Sequence, residues 1–257
     1  MSADVYKKAR DRRIFMKANY DDWHSLTSDQ MKGEKVLIEK EYDPNAELID
    51  LPDPKDINLL DINLYDLITN RKSERKYSTE PLSLLELSYL LWVTQGVKKI
   101  SPDKTVTLRT VPSSGARHPF ETYLYIKNVN GLKKGVYRYI AMKHKLLFLF
   151  DEANFEDDFM RACDDTTWML DGAVIFIWSV IPYRSEWRYM DKSAKSVTMD
   201  AGHVGQNLYL SCESIGCGTC TVAGYFQKHM DKVMKLDGED EFVIYFAPVG
   251  KKHIQSV

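Results

Sequence analysis

Two short stretches decide the fold of this chain: Arg71–Tyr77, which reads RKSERKY, and Pro112–Pro119, which reads PSSGARHP. The first, the cationic segment, places four cations and a serine hydroxyl within seven residues. Guanidinium groups form charge-assisted, often bidentate hydrogen bonds with phosphate, so Arg71 and Arg75 suit a phosphorylated ligand. The second, the glycine loop, is rich in small residues, and its backbone N–H groups can approach a flat ring closely. Together the two stretches predict a flavin site.

Composition limits the class of protein. The chain has 257 residues, of which 44% are hydrophobic and 12% aromatic, so it can bury a full core. Its 35 basic and 37 acidic residues leave a formal charge of -2, and we expect neither nucleic acid nor membrane as a partner. Residues 1–20 contain no apolar signal segment, and the longest apolar run, Ala173–Val180, is too short to span a bilayer. We therefore expect a cytoplasmic protein.

The four cysteines are too few for a disulfide framework, as expected in a reducing compartment. Cys217 and Cys220 have the CxxC spacing of some zinc and redox sites. A zinc site would need two more ligands at suitable spacing, which Cys163 and Cys212 do not supply, and a thioredoxin-like motif would not follow a helix. We expect Cys217 and Cys220 to be small buried residues in a turn, without a metal.

The chain divides into two parts. Residues 1–60 have scattered charge and little periodicity, and we predict an N-terminal arm, partly helical over Tyr6–Met16, that wraps a neighbouring surface. Residues 61–257 form one predicted domain. Its predicted helices are Leu60–Thr69, Leu84–Val97 with a capping box of Ser83 and Glu86, Asp157–Met169, Ser193–Ser214 and Phe226–Met234. Its predicted strands are Glu121–Ile126, Val136–Ile140, Lys145–Phe150, Ala173–Val180 and Phe242–Val249. Helices outside a mostly antiparallel or mixed sheet predict an α+β sandwich.

Three segments of the chain, in this order, resemble the FMN-dependent nitroreductase superfamily. They are Arg-x-Ser-x-Arg at 71–75, the glycine loop, and DAGHVGQNL at 200–208 running into GCGTC at 216–220. The resemblance covers residues 62–250 and extends to the branch with the SagB-type dehydrogenases of thiazole/oxazole peptide biosynthesis. It implies a nitroreductase-like sandwich and an obligate homodimer with two FMN molecules at the interface. Each FMN would contact the cationic segment of one chain and the glycine loop of the other.

The resemblance also implies roles for individual residues. Arg71 would bind the FMN phosphate, and Lys72, Ser73 and Arg75 would reach the ribityl chain and the pyrimidine edge, where a cation stabilises reduced flavin. Without a ligand, the cationic segment would be a solvated turn and the glycine loop a plain turn. The further cofactor-binding candidates are Pro112, Ser113, Ser114, Gly115 and Arg117 in the loop, Ala223 and Gly224 over the ring edge at N5, and Lys251 or Lys252 at the phosphate.

Residues 184–192 contain a pair, Arg188-Tyr189, that stands where azoline-oxidising relatives have Lys-Tyr. Arginine stays protonated in proteins and cannot act as a base, which argues against azoline oxidation. Tyr189 and Lys192 are candidate proton donors, and a Trp/Tyr-rich loop that covers the dimer interface is the structural alternative. His203 lies mid-helix, where we expect a packed or interface histidine.

These features predict an FMN-dependent oxidoreductase that transfers hydride from NAD(P)H through flavin N5 to a nitro compound, quinone or similar acceptor. The cofactor carries such chemistry, so the protein needs no dedicated catalytic triad. Two alternatives remain open on the residues alone. One is a SagB-type dehydrogenase of azoline-containing peptides, and the other is a non-catalytic flavin-binding or flavin-storage protein.

Overall fold

The computed structural model describes residues 2–253, and these residues form nine strands and eight α-helices. The strands are β1 Leu48–Asp50, β2 Val97–Ile100, β3 Thr107–Arg109, β4 Phe120–Ile126, β5 Gly135–Ile140, β6 Lys145–Phe150, β7 Val174–Val180, β8 Cys217–Thr219 and β9 Phe242–Lys251. Seven of them form one antiparallel sheet in the order β1-β6-β5-β4-β7-β9-β8, and β2 pairs with β3 in a separate hairpin.

The helices lie on both faces of this sheet. They are α1 Ala3–Asp11, α2 Asp29–Lys32, α3 Leu64–Asn70, α4 Leu84–Gln95, α5 Phe155–Ala162, α6 Tyr183–Tyr189, α7 Ser193–Ser214 and α8 Gln227–Val233. Short 3₁₀ helices include Arg12–Met16, Trp23–Ser25, Thr167–Leu170 and Met190–Lys192. No helix among residues 2–253 combines the length and the apolar character that crossing a membrane requires.

Two hydrophobic clusters, one on each face of the sheet, form the core. On β4, Leu124 belongs to the cluster that packs under α4 and α7, whereas Tyr123 and Tyr125 belong to the cluster under α5 and α8. This alternation follows from the period of two along a strand, and burial on both faces explains why the central strands have near-continuous apolar sequences. The predicted α+β sandwich is confirmed.

The long helix α7 has the predicted bounds, Ser193–Ser214, because a stripe of small and apolar residues at helical spacing is buried against the sheet. The stripe consists of Val197, Ala201, Val204, Leu208 and Cys212. The capping box is also present: Ser83 Oγ accepts from the backbone N–H of Glu86, and Glu86 Oε2 accepts from the backbone N–H of Ser83 at 2.8 Å. The sequence predicts both features correctly because each depends on residues that lie close together in the chain.

Several predicted elements need correction. The predicted turn at Cys217–Thr219 is strand β8, paired with the end of β9. The predicted helix Asp157–Met169 ends at Ala162, because Asp164 and Asp165 have positive φ values of 53° and break it before Thr167–Leu170. Residues 184–189, predicted as a loop, lie in α6. The end of the predicted domain, 254–257, lies outside the described residues.

The N-terminal arm is helical near its start, as expected, but α1 ends at Asp11 and is followed by the 3₁₀ helix Arg12–Met16. Further along, the arm adds β1 to the edge of the main sheet, where Leu48 pairs with Leu147. The arm also passes through a buried polar region: the backbone N–H of Lys40 donates to Glu121 Oε1 at 2.8 Å. It is therefore integrated into the sheet of its own chain.

Candidate flavin site

The cationic segment leaves α3 and runs beside β8. The backbone N–H of Arg71 donates to the carbonyl of Leu67 at 3.1 Å, which ends the helix, and the N–H of Glu74 donates to the carbonyl of Thr219 at 2.9 Å. A Cβ at Gly218 would lie 2.6 Å from the Cγ of Glu74, so this close approach requires glycine. The predicted phosphate-binding residues are therefore anchored to the main sheet.

Tyr209 on α7 holds the cationic segment in place. The guanidinium of Arg71 lies 5.1 Å from the centre of the Tyr209 ring, and Ser73 Oγ lies 3.0 Å from its hydroxyl. The same hydroxyl accepts from the backbone N–H of Thr221 at 3.0 Å. Thr221 is two residues before Ala223, which is exposed together with Gly224. Tyr209 thus links the cationic segment to the segment that leads to Ala223 and Gly224, although no pattern in the sequence indicated it.

The other cations of the segment have different surroundings. Lys72, which is exposed, forms an ion pair with the half-buried Glu74 at 3.1 Å. The guanidinium of Arg75 lies 5.3 Å from the ring centre of Trp168. Arg71 is half-buried, whereas Lys72, Ser73 and Arg75 are exposed. Arg71 and Ser73 are therefore the two residues of the segment whose side chains contact Tyr209.

The glycine loop is tied to the N-terminal half of α7 by a buried carboxylate. Ser113 Oγ donates to Asp200 Oδ2 at 2.6 Å, and the N–H of Ser114 donates to the same oxygen at 3.1 Å. Burial raises the pKa of Asp200, while these two hydrogen bonds lower it. Ser113 Oγ also accepts from the N–H of His118 at 3.0 Å, which closes the turn. Asp200 belongs to the DAGHVGQNL motif at 200–208, but no sequence pattern indicated that its side chain contacts the glycine loop.

Arg117 supports the loop from within. Its Nε donates to the carbonyl of Gly115 at 3.2 Å, and its Nη2 donates to the carbonyl of Thr105 at 2.6 Å. The guanidinium lies 4.8 Å from the ring centre of Trp187, and burial lowers its pKa. These contacts give Arg117 a role in shaping the loop, and its contact with the cofactor stays a prediction.

Arg188 and Tyr189 both press against Gly115. That glycine has a φ of 58°, and a Cβ on it would lie 2.6 Å from Tyr189 Oη and 3.2 Å from Arg188 Cδ. Any side chain here would be strained and would clash. Motifs singled out both the Arg188-Tyr189 pair and the glycine loop, but no pattern indicated that residues more than seventy positions apart form one surface.

Lys192 is surrounded by carboxylates. Its Nζ lies 2.9 Å from Asp22 Oδ1 and 3.0 Å from Asp191 Oδ2, and only 7% of the side chain is exposed. The hydrogen bonds to Asp22 and Asp191 raise the pKa of Lys192, so the ammonium stays protonated. This environment suits a structural cation better than the proton donor that the sequence allowed.

The C-terminal lysines are also paired. Lys251 forms an ion pair with Glu86, and Lys252 Nζ lies 2.6 Å from Glu213 Oε2. To reach a phosphate, either lysine would have to exchange a carboxylate for it. His203 on α7 is exposed in this chain, so it is not packed in the core.

The cysteines of the CxxC motif are both buried, and all four cysteines have free thiols. Burial raises the pKa of Cys217 to about 12, which keeps its thiol protonated at neutral pH. Among residues 2–253, no cluster of three His, Cys, Asp or Glu side chains is placed to hold a metal ion.

The two predicted stretches contact different parts of α7. Asp200 binds the glycine loop, and Tyr209 binds the cationic segment nine residues later. Nine residues correspond to about 14 Å along a helix and about half a turn around it. One chain therefore holds the two stretches at separate positions on different sides of the helix.

The sequence profile described as the Nitroreductase family matches residues 68–251. MJ1384 of Methanocaldococcus jannaschii, which bears a nitroreductase name, is 32% identical over 204 residues, covering 79% of this chain and 96% of that protein. The chain belongs to the nitroreductase family. This confirms the resemblance inferred from its motifs.

Solved structures share the fold. A structure from Ralstonia eutropha that also bears a nitroreductase name matches with a TM-score of 0.66 at 22% identity, covering 86% of this chain and 97% of that chain. The E. coli microcin synthetase McbBCD complex, solved with truncated pro-MccB17 bound, contains a chain that matches with a TM-score of 0.59 at 18% identity. That match covers 99% of this chain and 95% of the other, so it includes the N-terminal arm.

Proposed function

We propose that this protein is an FMN-dependent oxidoreductase that acts as a homodimer. It takes hydride from NADH or NADPH and passes the electrons to a nitro compound, a quinone or a similar acceptor. The observation that carries the proposal is the arrangement around α7, where Asp200 and Tyr209 hold the glycine loop and the cationic segment as two half-sites. Membership of the nitroreductase family supports it.

The residues present fit FMN. Arg71 and Ser73, which both contact Tyr209, supply a guanidinium and a hydroxyl, and these are donors that suit a phosphate and a ribityl chain. At the other half-site, the small residues of the glycine loop let a flat ring lie close to the main chain. Tyr189 and Arg188 fill the side of Gly115 where a Cβ would lie, so a ring would approach the loop from another side. The residues present thus offer a cation and a hydroxyl at one half-site and a loop of small residues at the other, as a phosphorylated flat cofactor requires.

Exposed surface on α7 and α3 supports a dimer. Met199, Gly202, His203 and Gln206 form an exposed stripe at helical spacing, and Met199 is 57% exposed. Three apolar side chains of α3 are exposed as well: Leu64, Tyr65 and Ile68. Exposed apolar surface of this kind is typical of interaction sites. If two α7 helices pair antiparallel about a twofold axis near residue 204, Asp200 lies level with the partner's Tyr209 along the helix.

The chemistry divides between cofactor and protein. FMN, when bound, supplies a hydride acceptor at N5 and a two-electron donor for the acceptor. Arg71 and Ser73 would hold the phosphate and the ribityl chain, and Arg75 would stabilise negative charge at the pyrimidine edge. Ala223 and Gly224 would cover the ring edge with backbone groups. Because FMN supplies the redox chemistry, the proposed hydride transfer requires no side chain that acts as a base.

Anaerobic stopped-flow spectroscopy tests this function. The yellow protein should bleach when mixed with NADH or NADPH, and the reduced protein should recover its colour with a quinone or nitroaromatic compound. Bound flavin that neither nicotinamide reduces would contradict the proposal and favour flavin storage. Protein that binds no FMN on reconstitution would contradict both functions.

Dehydrogenation of a peptide azoline is the second candidate. The match to a microcin synthetase chain favours it, because this match extends over the arm as well as the domain. Tyr189 lies against the glycine loop, where it could donate a proton. Arg188 counts against this candidate, because the reaction must remove a proton from carbon and arginine is not a base.

A further inference from the structure

We propose that the N-terminal arm forms one wall of the acceptor site, and that Trp23 makes this wall selective for planar aromatic acceptors. The inference rests on the proposed function, since it takes the glycine loop as the place where the flavin ring lies. It assigns a role to residues 20–23, which precede the segment that matches the family.

An aromatic ladder links the arm to the glycine loop. The ring centres of Tyr20 and Trp23 are 5.2 Å apart at an interplanar angle of 46°, and those of Trp23 and Tyr189 are 6.3 Å apart at 34°. Tyr189 in turn has its hydroxyl against Gly115. Such spacings are typical of interacting aromatic pairs. The ladder therefore continues from the surface of the arm to the predicted flavin loop.

Polar contacts on both sides of Trp23 fix the ladder. Asp22 forms the 2.9 Å ion pair with the largely buried Lys192, directly before α7. Farther along the arm, Asp29 Oδ2 accepts from the hydroxyl of Tyr183 at 3.0 Å. Two interactions with a large sequence separation thus hold the arm against α6, the helix that carries Tyr189, and against the 3₁₀ helix Met190–Lys192 that follows it.

The arm backbone is bound to α6 as well. Trp187 Nε1 donates to the carbonyl of Glu34 at 2.9 Å, and Arg184 Nε donates to the carbonyl of Leu37 at 3.0 Å. Because both acceptors are main-chain carbonyls of the arm, these hydrogen bonds fix the path of the arm independently of its side chains. The ladder is thus a preformed surface, and little conformational entropy is lost when a ligand stacks on it.

A cavity meets the ladder at Tyr20. It has a volume of about 250 Å³, lies between the arm and the start of α7, and is bordered by Tyr20 together with Ile14, Phe15, Lys192 and Met199, whereas Trp23 lies next to Tyr20 outside its lining. This volume is close to the lower end of small-ligand sites, about 300 Å³. Tyr20 is exposed and Trp23 is half-buried, so the rings remain accessible. A planar aromatic nitro compound or quinone is the class of acceptor that gains from stacking here.

The oxidative half-reaction tests the inference without a nicotinamide. The FMN-loaded protein is reduced anaerobically with dithionite and mixed with 1,4-naphthoquinone or with ferricyanide. The quinone takes two electrons and two protons to become the hydroquinone, whereas each ferricyanide ion takes one electron. Only the quinone can stack on an aromatic side chain. The ratio of the naphthoquinone rate to the ferricyanide rate therefore measures the contribution of the aromatic wall.

For Trp23→Ala we expect the naphthoquinone concentration at half-maximal rate to rise about five- to tenfold, as expected for the loss of one aromatic contact. The limiting rate and the ferricyanide reaction should change little. Trp23→Phe should restore the quinone affinity, and Tyr6→Ala, which removes an exposed arm aromatic outside the ladder, should behave as wild type.

Unchanged quinone affinity in Trp23→Ala, or an equal loss for ferricyanide, would overturn the inference. FMN content per chain is measured for each variant to confirm an intact site. If Trp23→Ala loses FMN, Tyr20→Ala must show the quinone-specific shift. Wild-type protein that binds no FMN, or whose reduced flavin neither oxidant reoxidises, contradicts the proposed function at an earlier step.

Discussion

The hydroxyl of Ser113 donates a 2.6 Å hydrogen bond to the buried carboxylate of Asp200, and this bond ties the glycine loop to α7. The same carboxylate accepts from the N–H of Ser114. Because both donors belong to the loop, Asp200 fixes the loop's position on the helix.

Replacing Asp200 by Ala should loosen this loop. Hydrogen bonds to a charged group contribute about 1.5–3 kcal/mol, so we expect the free energy of unfolding to fall by about that amount and FMN to bind at least about tenfold more weakly. Asp200→Asn, which retains an acceptor, should lose less. Urea unfolding and flavin titration measure the two effects, with Thr198→Ala on the exposed face of α7 as control. Wild-type affinity for FMN in Asp200→Ala would refute this role.

We expect Arg71 to stabilise bound FMN through a contact with its phosphate group. Its replacement by Ala removes a charge-assisted contact worth about 1.5–3 kcal/mol, which corresponds to a roughly ten- to hundredfold weaker affinity for FMN. Riboflavin lacks the phosphate and should lose far less. Both flavins are titrated into the apo-protein, and Arg161→Ala, an exposed arginine elsewhere, serves as control. Equal losses for the two flavins would mean that Arg71 does not touch the phosphate.

Arg188 tests the choice between reductase and azoline dehydrogenase. Hydride transfer from a nicotinamide needs no base, so Arg188→Ala should keep the rate of flavin reduction within a few-fold of wild type. Arg188→Lys should not raise that rate, although lysine can be tuned to act as a base. Stopped-flow reduction by NADH and NADPH is the measurement. A collapse of reduction in the alanine variant, with FMN fully bound, would give Arg188 a direct role.

His118 should make the protein sensitive to acid. Burial, with a smaller contribution from Arg109 and Arg117, lowers the pKa of His118 to about 3, from about 6.5 in the unfolded chain. The stability that neutral His118 contributes is fully present above pH 6.5 and is lost as the pH falls toward 3, by about 1.4 kcal/mol per pH unit.

The measurement is urea unfolding at several values between about pH 7 and about pH 5. His118→Asn should remove this part of the pH dependence, and asparagine tolerates the positive φ of 45° at this position. His229→Asn, on an exposed position of α8, should leave the pH dependence unchanged. An unchanged pH dependence in His118→Asn would show that another group is responsible.

The sequence was sufficient to predict those elements whose signal lies within a short stretch of the chain. Helix α7, the capping box of Ser83 and Glu86, and the buried strands follow from periodicity and from neighbours in the chain. The three-residue strands β1 and β8 have no such period, because partners far away in sequence define them. The helix α6 is short, and contacts with the arm hold it in place.

In the candidate site, too, the sequence predicts what depends on local motifs and misses what depends on contacts between distant residues. Motifs identified the cationic segment and the glycine loop, because their residue types suit a phosphate and a flat ring. They could not reveal that Asp200 and Tyr209 anchor the two stretches, since these contacts join residues 87 and 136 positions apart. Nor could they show that Arg117 is turned toward the backbone of its own loop.

We propose that two chains complete each flavin site. Sedimentation equilibrium combined with flavin absorbance on the same native sample is the decisive measurement. We expect a dimer that carries one FMN per chain and loses its flavin when it dissociates, because neither half-site holds FMN alone. A monomer that retains a full complement of FMN would contradict it.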